Sequence, residues 1–379
     1  VYDSQLSPKE TIMSHRTPLS LFASLLCIAA LLAPSARADE NVRVFILAGQ
    51  SNMEGKASLE LLRHQMTDPK TADLFKHLHK DGEFIVRDDV FIDYMGKTNM
   101  APGGLTPGYG SPNQFGVELE FGNTVGDHFD EPVLLIKAAW GGKSIGKDFL
   151  PPSLMPTDAE FQQMASEAKA KYDEQLASHE KKLAEGKKSR APRPAPSAEE
   201  LKKQYGHYYR EMMKHVEDVL ANKDKRFPAL KGKTPVLSGF VWFQGFNDKF
   251  GGLDVKYETN MEAFIKDVRK DLKTPKLPFV IGVMGQNGSK PASGTSLVIQ
   301  QAQLAQPNKP AFKGNVAAVR TDELVDKAAE DAFPTWKDNV EAWKKVGSDR
   351  PYHYLGSAIW FSRMGDAFGE AMLELMGEK

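Results

Sequence analysis

Cysteine is almost absent from this chain: Cys27 is the one thiol in 379 residues. That excludes a disulfide framework and a zinc site built on paired cysteines. Stability has to come from a packed core, and a chain of this length can bury one. One-sided charge is missing as well. The 49 basic and 50 acidic residues leave a net charge of -1, which removes the electrostatic footprint of a nucleic-acid binder and of a polybasic membrane tail. There is no glycine-rich phosphate loop and no internal repeat. No spacing of His, Cys, Asp or Glu asks for a metal, and no motif asks for another cofactor.

Long apolar runs are equally scarce. The one that matters, residues 19–33, follows Met13-Ser14-His15-Arg16 and ends in Ala36-Arg37-Ala38. A basic start, a short apolar centre and an Ala-x-Ala end make a secretory signal peptide rather than a membrane span. Cleavage after Ala38 is expected, giving a secreted or periplasmic product. Residues 1–12 fit no part of such a signal and point to a misplaced start site. Cys27 lies inside the signal's apolar centre. Ser24-Leu25-Leu26 before it lacks the small residue of a lipoprotein cleavage site, so no lipid anchor is expected. The mature protein would then contain no cysteine.

Against these absences stands a repeated alternation. Strand-like runs occur at residues 42–47, 90–94, 133–138, 237–243, 279–283 and 316–319, with helix-like stretches between them. Several are apolar almost throughout, as in strands covered on both faces. Strands alternating with helices predict an α/β fold around a parallel sheet, one domain over residues 39–379. Residues 157–225 differ in character. Phe161, Ala165, Ala168, Tyr172, Leu176 and Leu183 form one stripe at helical spacing, and Leu201, Tyr205, Tyr208, Met212, Val216 and Val219 form a second. A proline-rich break separates them, and Ser197-Ala198-Glu199-Glu200 matches a capping box. This predicts a helical hairpin inserted into the domain.

The first run ends in Gly49-Gln50-Ser51-Asn52-Met53. A Ser two residues past a strand-ending Gly sits where helix-start N–H groups point outward, a place suited to a nucleophile and its oxyanion. It is also a place where Ser51 or Asn52 would merely cap a helix. Three later segments carry polar groups to strand or loop ends: Ala138-Ala139-Trp140-Gly141-Gly142-Lys143-Ser144, Trp242-Phe243-Gln244-Gly245-Phe246-Asn247-Asp248, and Asp349-Arg350-Pro351-Tyr352-His353. Ser early, amides midway, and Asp then His late are the parts of a serine hydrolase. The Gly- and Pro-rich stretch 98–114 is a long loop of the kind that lines clefts. Tyr109 there and Phe115 just after it are candidates for substrate contact, as is Trp140, while Trp242 reads as core and Asp248 as a turn cap.

With the helix start at Gly116-Val117-Glu118-Leu119-Glu120-Phe121, these segments resemble the SGNH hydrolase superfamily in its sialate O-acetylesterase-like branch. That branch also holds acetylesterases acting on acetylated xylan. The resemblance implies a three-layer α/β/α sandwich with a central parallel sheet of flavodoxin type. By position it implies Ser51 as nucleophile and His353 as general base. The N–H groups of Ser51 and Gly116 would form the oxyanion hole with a side-chain amide, either Gln244 or Asn247. The chain departs from the pattern twice. Phe246 stands where the branch has Glu, and the acid, Asp349, precedes the His by four residues instead of three. The implied function is removal of acetyl groups from an acetylated carbohydrate, without a cofactor. The alternatives are a short-chain or lipid esterase of the same superfamily and a non-catalytic carbohydrate-binding protein.

Overall fold

A computed structural model describes residues 40–378. The expected signal peptide lies outside the described residues. Seven strands form one sheet: β1 (Asn41–Gly49), β2 (Val90–Met95), β3 (Gly103–Gly104), β4 (Val133–Ala139), β5 (Thr234–Phe243), β6 (Phe279–Val283) and β7 (Val316–Arg320). Their order is β7-β6-β5-β1-β4-β2-β3. All neighbours are parallel except β3, which pairs antiparallel with β2 at the edge. Counting β1, β4, β5, β6 and β7 as first to fifth, the order is second-first-third-fourth-fifth, the flavodoxin arrangement. The strand β2 and the short β3 are added outside β4. The sequence places all six parallel strands to within three residues at each end; β3, two glycines inside a long loop, carries no apolar pattern that would mark it.

The strands are apolar on both faces because both faces are covered. Along β1, Val42, Val44 and Ile46 point into one core, while Phe45 and Leu47 point into the other. The first core is closed by α5 (His207–Ala221), α6 (Tyr257–Asp271) and α7 (Gly294–Ala305), through residues such as Met212, Phe264 and Ile299. The second is closed by α2 (Glu118–His128) and α8 (Ala358–Met376), through Phe121, Val125, Phe361 and Phe368. Each fully buried side chain of this size stabilises the fold by about 1.5–3 kcal/mol.

The helical excursion between β4 and β5 divides differently from the expected hairpin. Helix α3 (Asp158–Ala184) opens with a capping box at Thr157 and Glu160 and buries only Phe161. Helix α4 (Ala198–Gln204) opens with the expected box at Ser197 and Glu200 and lies along α3, with Phe161 edge-on to Tyr205. Helix α5, by contrast, lies on the sheet. Tyr209, Met212, Val216 and Val219 are buried in the first core. The second stripe therefore divides: Leu201 and Tyr205 belong to α4 and its cap, while Met212, Val216 and Val219 belong to a crossover helix of the kind that joins parallel strands.

Candidate active site

The chain reverses direction across the sheet at β1: β4 lies on one side of it and β5 on the other. Crevices at such a switch point open at the carboxyl ends of the strands, and Ser51 is there. It is the first residue of the short helix α1 (Ser51–Glu54). Helix-start N–H groups have no intrahelical partner. Gly49 is required by close approach: a Cβ there would meet the Phe243 carbonyl oxygen at 2.1 Å. Gln50 then ties the ends of β1 and β5 together. Its N–H donates to Phe243 O (3.2 Å), and its Oε1 accepts from Gln244 Nε2 and the Asn247 N–H (3.3 Å each).

Beneath α1 lies a buried ion pair. The Lys137 ammonium, on β4, donates to Glu118 Oε2 (2.7 Å), Tyr109 O (2.7 Å) and Glu54 O (3.0 Å). Three N–H bonds thus meet three acceptors, and the charge lies 4.4 Å from the Tyr94 ring centroid. Burial pulls the Lys137 pKa down, and Glu118 opposes that shift. The Glu54 carboxylate accepts from the Gly141 N–H (2.7 Å) and from Lys56 Nζ (2.6 Å). A lysine in an apolar strand is the sequence signal for this foundation.

The same cluster corrects the expectation for Gly116. Its N–H donates to Glu118 Oε1 at 2.8 Å, so it does not face an oxyanion. A Cβ at Gly116 would lie 2.5 Å from Gly55 Cα; the glycine is there for backbone packing. Tyr109 and Phe115 are corrected too. Both are buried, and the Tyr109 hydroxyl donates to Ala101 O at 2.9 Å, inside its own loop.

The amides separate in the same way. Gln244 ends β5 pointing into the layer below. Its Nε2 donates to Asp248 Oδ2 (2.6 Å) and Lys143 O (2.9 Å), and its Oε1 accepts from the Tyr257 hydroxyl. Asn247 rides the 3-10 turn Phe246–Lys249 up to the cavity, where its Nδ2 donates to Gly142 O (2.6 Å). Of the two, Asn247 is the one at the cavity surface. Asp248 is fully buried and accepts from the Ile145 and Gly146 N–H groups (2.9 and 2.8 Å); it does not cap its own turn, as its sequence suggests, but fixes the distant loop after β4. Burial pushes its pKa up to about 6, against the restraining donors Gln244, Gly146 and Ile145.

His353 stands in the kinked turn Pro351–Gly356. The four-residue spacing does not separate it from Asp349: His353 Nδ1 lies 2.9 Å from Asp349 Oδ2. Burial would raise the Asp349 pKa, but the bond to His353 and the Arg350 N–H (2.7 Å) bring it below the ordinary carboxylate value. Two consecutive residues, Tyr354 (φ 51°) and Leu355 (φ 61°), are left-handed. Such backbone costs about 1–3 kcal/mol per residue and needs its surroundings to hold it. The twist turns Leu355 O to accept from the Ser348 and Asp349 N–H groups (2.8 and 2.9 Å). The buried Tyr354 hydroxyl accepts from the Gly285 N–H (2.9 Å) and bonds Thr321 Oγ1 (2.8 Å). Asn52 Nδ2 donates to Tyr352 O (3.2 Å), joining the His353 loop to α1.

Ser51, His353, Asn247 and Trp140 line one cavity of about 770 Å³, together with Lys56, Lys97, Lys143, Tyr208, Phe246 and Tyr352. Among the described residues no hydrogen bond joins Ser51 to His353; without substrate such pairs are often loose. Phe246 places a ring in the wall where the branch pattern has a carboxylate. Tyr208, Phe246 and Tyr352 were not singled out as site residues by their sequence. A Tyr in a helical apolar stripe reads as core, and only the start of α5 beside the cavity makes it otherwise.

Residues 41–179 and 195–336 match the family described as carbohydrate esterase, sialic acid-specific acetylesterase. No relative was found among curated proteins. Solved structures are similar at low identity, among them the following three. A protein from Arabidopsis thaliana is 17% identical, with 88% of this chain and 98% of that one covered and a TM-score of 0.45. A carbohydrate acetylesterase from Xanthomonas citri is 14% identical, with 89% and 57% covered and a TM-score of 0.45. NanS is 12% identical, with 90% and 99% covered and a TM-score of 0.49.

Proposed function

The chain belongs to the sialic acid-specific acetylesterase family of carbohydrate esterases, and from that premise we propose that it is an exported serine esterase that removes O-acetyl groups from carbohydrates. Ser51 Oγ attacks the acetyl carbonyl while its proton passes to His353 Nε2. Asp349, bonded to Nδ1, fixes the ring's tautomer and balances the imidazolium that forms. The Ser51 N–H and the Asn247 amide hold the oxyanion. The bond from carbonyl carbon to sugar oxygen then breaks, and that oxygen takes the proton from His353. Water, deprotonated by the same imidazole, attacks the acetyl-serine; acetate leaves and Ser51 regains its proton. Gln244 and Asp248 position the floor rather than touch the substrate.

The observation that carries this reading is the 2.9 Å contact of Asp349 with His353, which lines the same cavity as Ser51. It supports Asp349 as partner of His353 despite the displaced spacing, one of the two motives for a non-catalytic carbohydrate binder; the other is Phe246 in place of Glu. The test compares wild type with Ser51→Ala for acetate release from acetylated xylan and from O-acetylated sialic acid. The variant is expected to fall by about a thousandfold or more. Equal release from both proteins contradicts the proposal.

A further inference from the structure

Exposed aromatic side chains are costly to leave in water without purpose, and a contiguous strip of them marks a binding surface. Here two aromatic walls border the cavity. On one side Trp140 and Tyr208 lie with ring centroids 5.0 Å apart, and Lys143 Nζ is 4.4 Å from the Tyr208 ring. A second group forms a ladder that starts at His353. Tyr352 lies edge-on to His353 at 4.5 Å, Phe246 is 5.9 Å from Tyr352, and Phe250 is 5.8 Å from Phe246. Tyr352 is 44% and Phe250 58% exposed. Phe250 is thus three ring contacts away from the imidazole, outside the cavity itself.

The first wall is completed by the helical excursion. Gly206, at φ 62°, ends α4, and its N–H donates to Lys147 O (2.8 Å); the Tyr208 N–H donates to Asp148 O (2.9 Å). Those carbonyls belong to the loop after β4 that Asp248 fixes from below. The α4–α5 junction is therefore tied to the rigid floor, and Tyr208 with it. Pyranose rings present apolar C–H faces with polar edges, the chemistry that flat aromatic faces flanked by lysines receive.

We propose that this cleft takes an acetylated oligosaccharide rather than a free monosaccharide, its acetylated unit held at Ser51 between Tyr208 and Tyr352 and its further units running along Phe246 to Phe250. A single sugar against Ser51 leaves the outer ladder uncovered, whereas a chain covers it. The inference rests on the esterase reading, and its experiment keeps the two apart. Wild type, Tyr208→Ala and Phe250→Ala are assayed on p-nitrophenyl acetate and on acetylated oligosaccharides of one to five units. In the wild type kcat/KM rises with chain length. Phe250→Ala flattens that rise, lowering the ratio of long-chain to aryl-acetate kcat/KM by about threefold to tenfold, as one lost ring contact implies. Tyr208→Ala lowers the same ratio for every oligosaccharide. No activity on aryl acetate overturns the esterase reading. Activity on aryl acetate with no dependence on chain length, or equal losses on both substrates in the variants, overturns the oligosaccharide cleft alone.

Discussion

Ser51 follows directly from a strand hydrogen-bonded on both sides, whereas His353 hangs in a loop fastened mainly by side chains and twisted backbone. Ser51 inherits its position from β1, which pairs with β4 and, across one bulge at Val44–Phe45, with β5 up to Gly49. Lys137 and Glu118 then anchor the helix that carries it. His353 has no such inheritance. Its place depends on two left-handed residues, on Leu355 O, and on a Tyr354 hydroxyl reaching Gly285 and Thr321. One half of the site is part of the fold; the other is a local arrangement that the fold tolerates because distant groups hold it.

That contrast can be broken from either side. The largest effect is expected at Asp349→Asn, which leaves the loop packed but favours the wrong imidazole tautomer. Steady-state kcat should drop by about 10⁴-fold with the melting temperature nearly unchanged. A loss below tenfold would mean that Asp349 does not orient His353. Next comes Lys137→Met, which strands the buried Glu118 charge. Denaturant unfolding should show a loss of about 3–5 kcal/mol, since the nucleophile's support is also the sheet's core. A change under 1 kcal/mol would separate the two.

Asp248 sharpens the comparison through pH. Its folded pKa of about 6 exceeds the reference value of 3.8, so the folded state binds more protons. Its share of stability is full below about pH 3.8 and is lost as pH rises through about 6. Measured against Asp248→Asn, wild-type unfolding free energy should fall by up to about 3 kcal/mol between pH 4 and 7. A gap independent of pH would contradict this. The smallest effect is expected at Tyr354→Phe, which removes a hydroxyl from the Gly285 N–H and Thr321. Stability should drop by about 1–2 kcal/mol. The kcat should fall beyond what unfolding explains, with KM little changed, because the base loop loosens first. Unaltered kcat would show that the loop does not depend on this clasp.

The same contrast explains what the sequence made legible. Six strands declare themselves as apolar runs because both sheet faces are covered. Ser51 is readable because Gly49 and the turn follow directly from such a run. The Asp349–His353 pair is readable as a motif, though its contact over four residues depends on a backbone twist that no residue type there announces. The placement of the oxyanion candidates is unreadable in the sequence for a different reason. Gly116 looks free until Glu118, two residues on, folds back to accept its N–H. Gln244 and Asn247 are three residues apart, and only the 3-10 turn between them sends one down and the other up. Tyr208 was hidden in a stripe whose other members, such as Met212 and Val216, really are core.

The central claim is that Ser51 is the nucleophile and His353 its base. Its most direct test is labelling with a serine-directed organophosphonate, followed by peptide mass mapping, on wild type and His353→Ala. The account predicts one phosphonyl group per chain, located on Ser51, with loss of esterase activity in step with labelling, and labelling slowed by orders of magnitude in His353→Ala. An active wild type that carries the label elsewhere, or that labels Ser51 equally fast without His353, would contradict it.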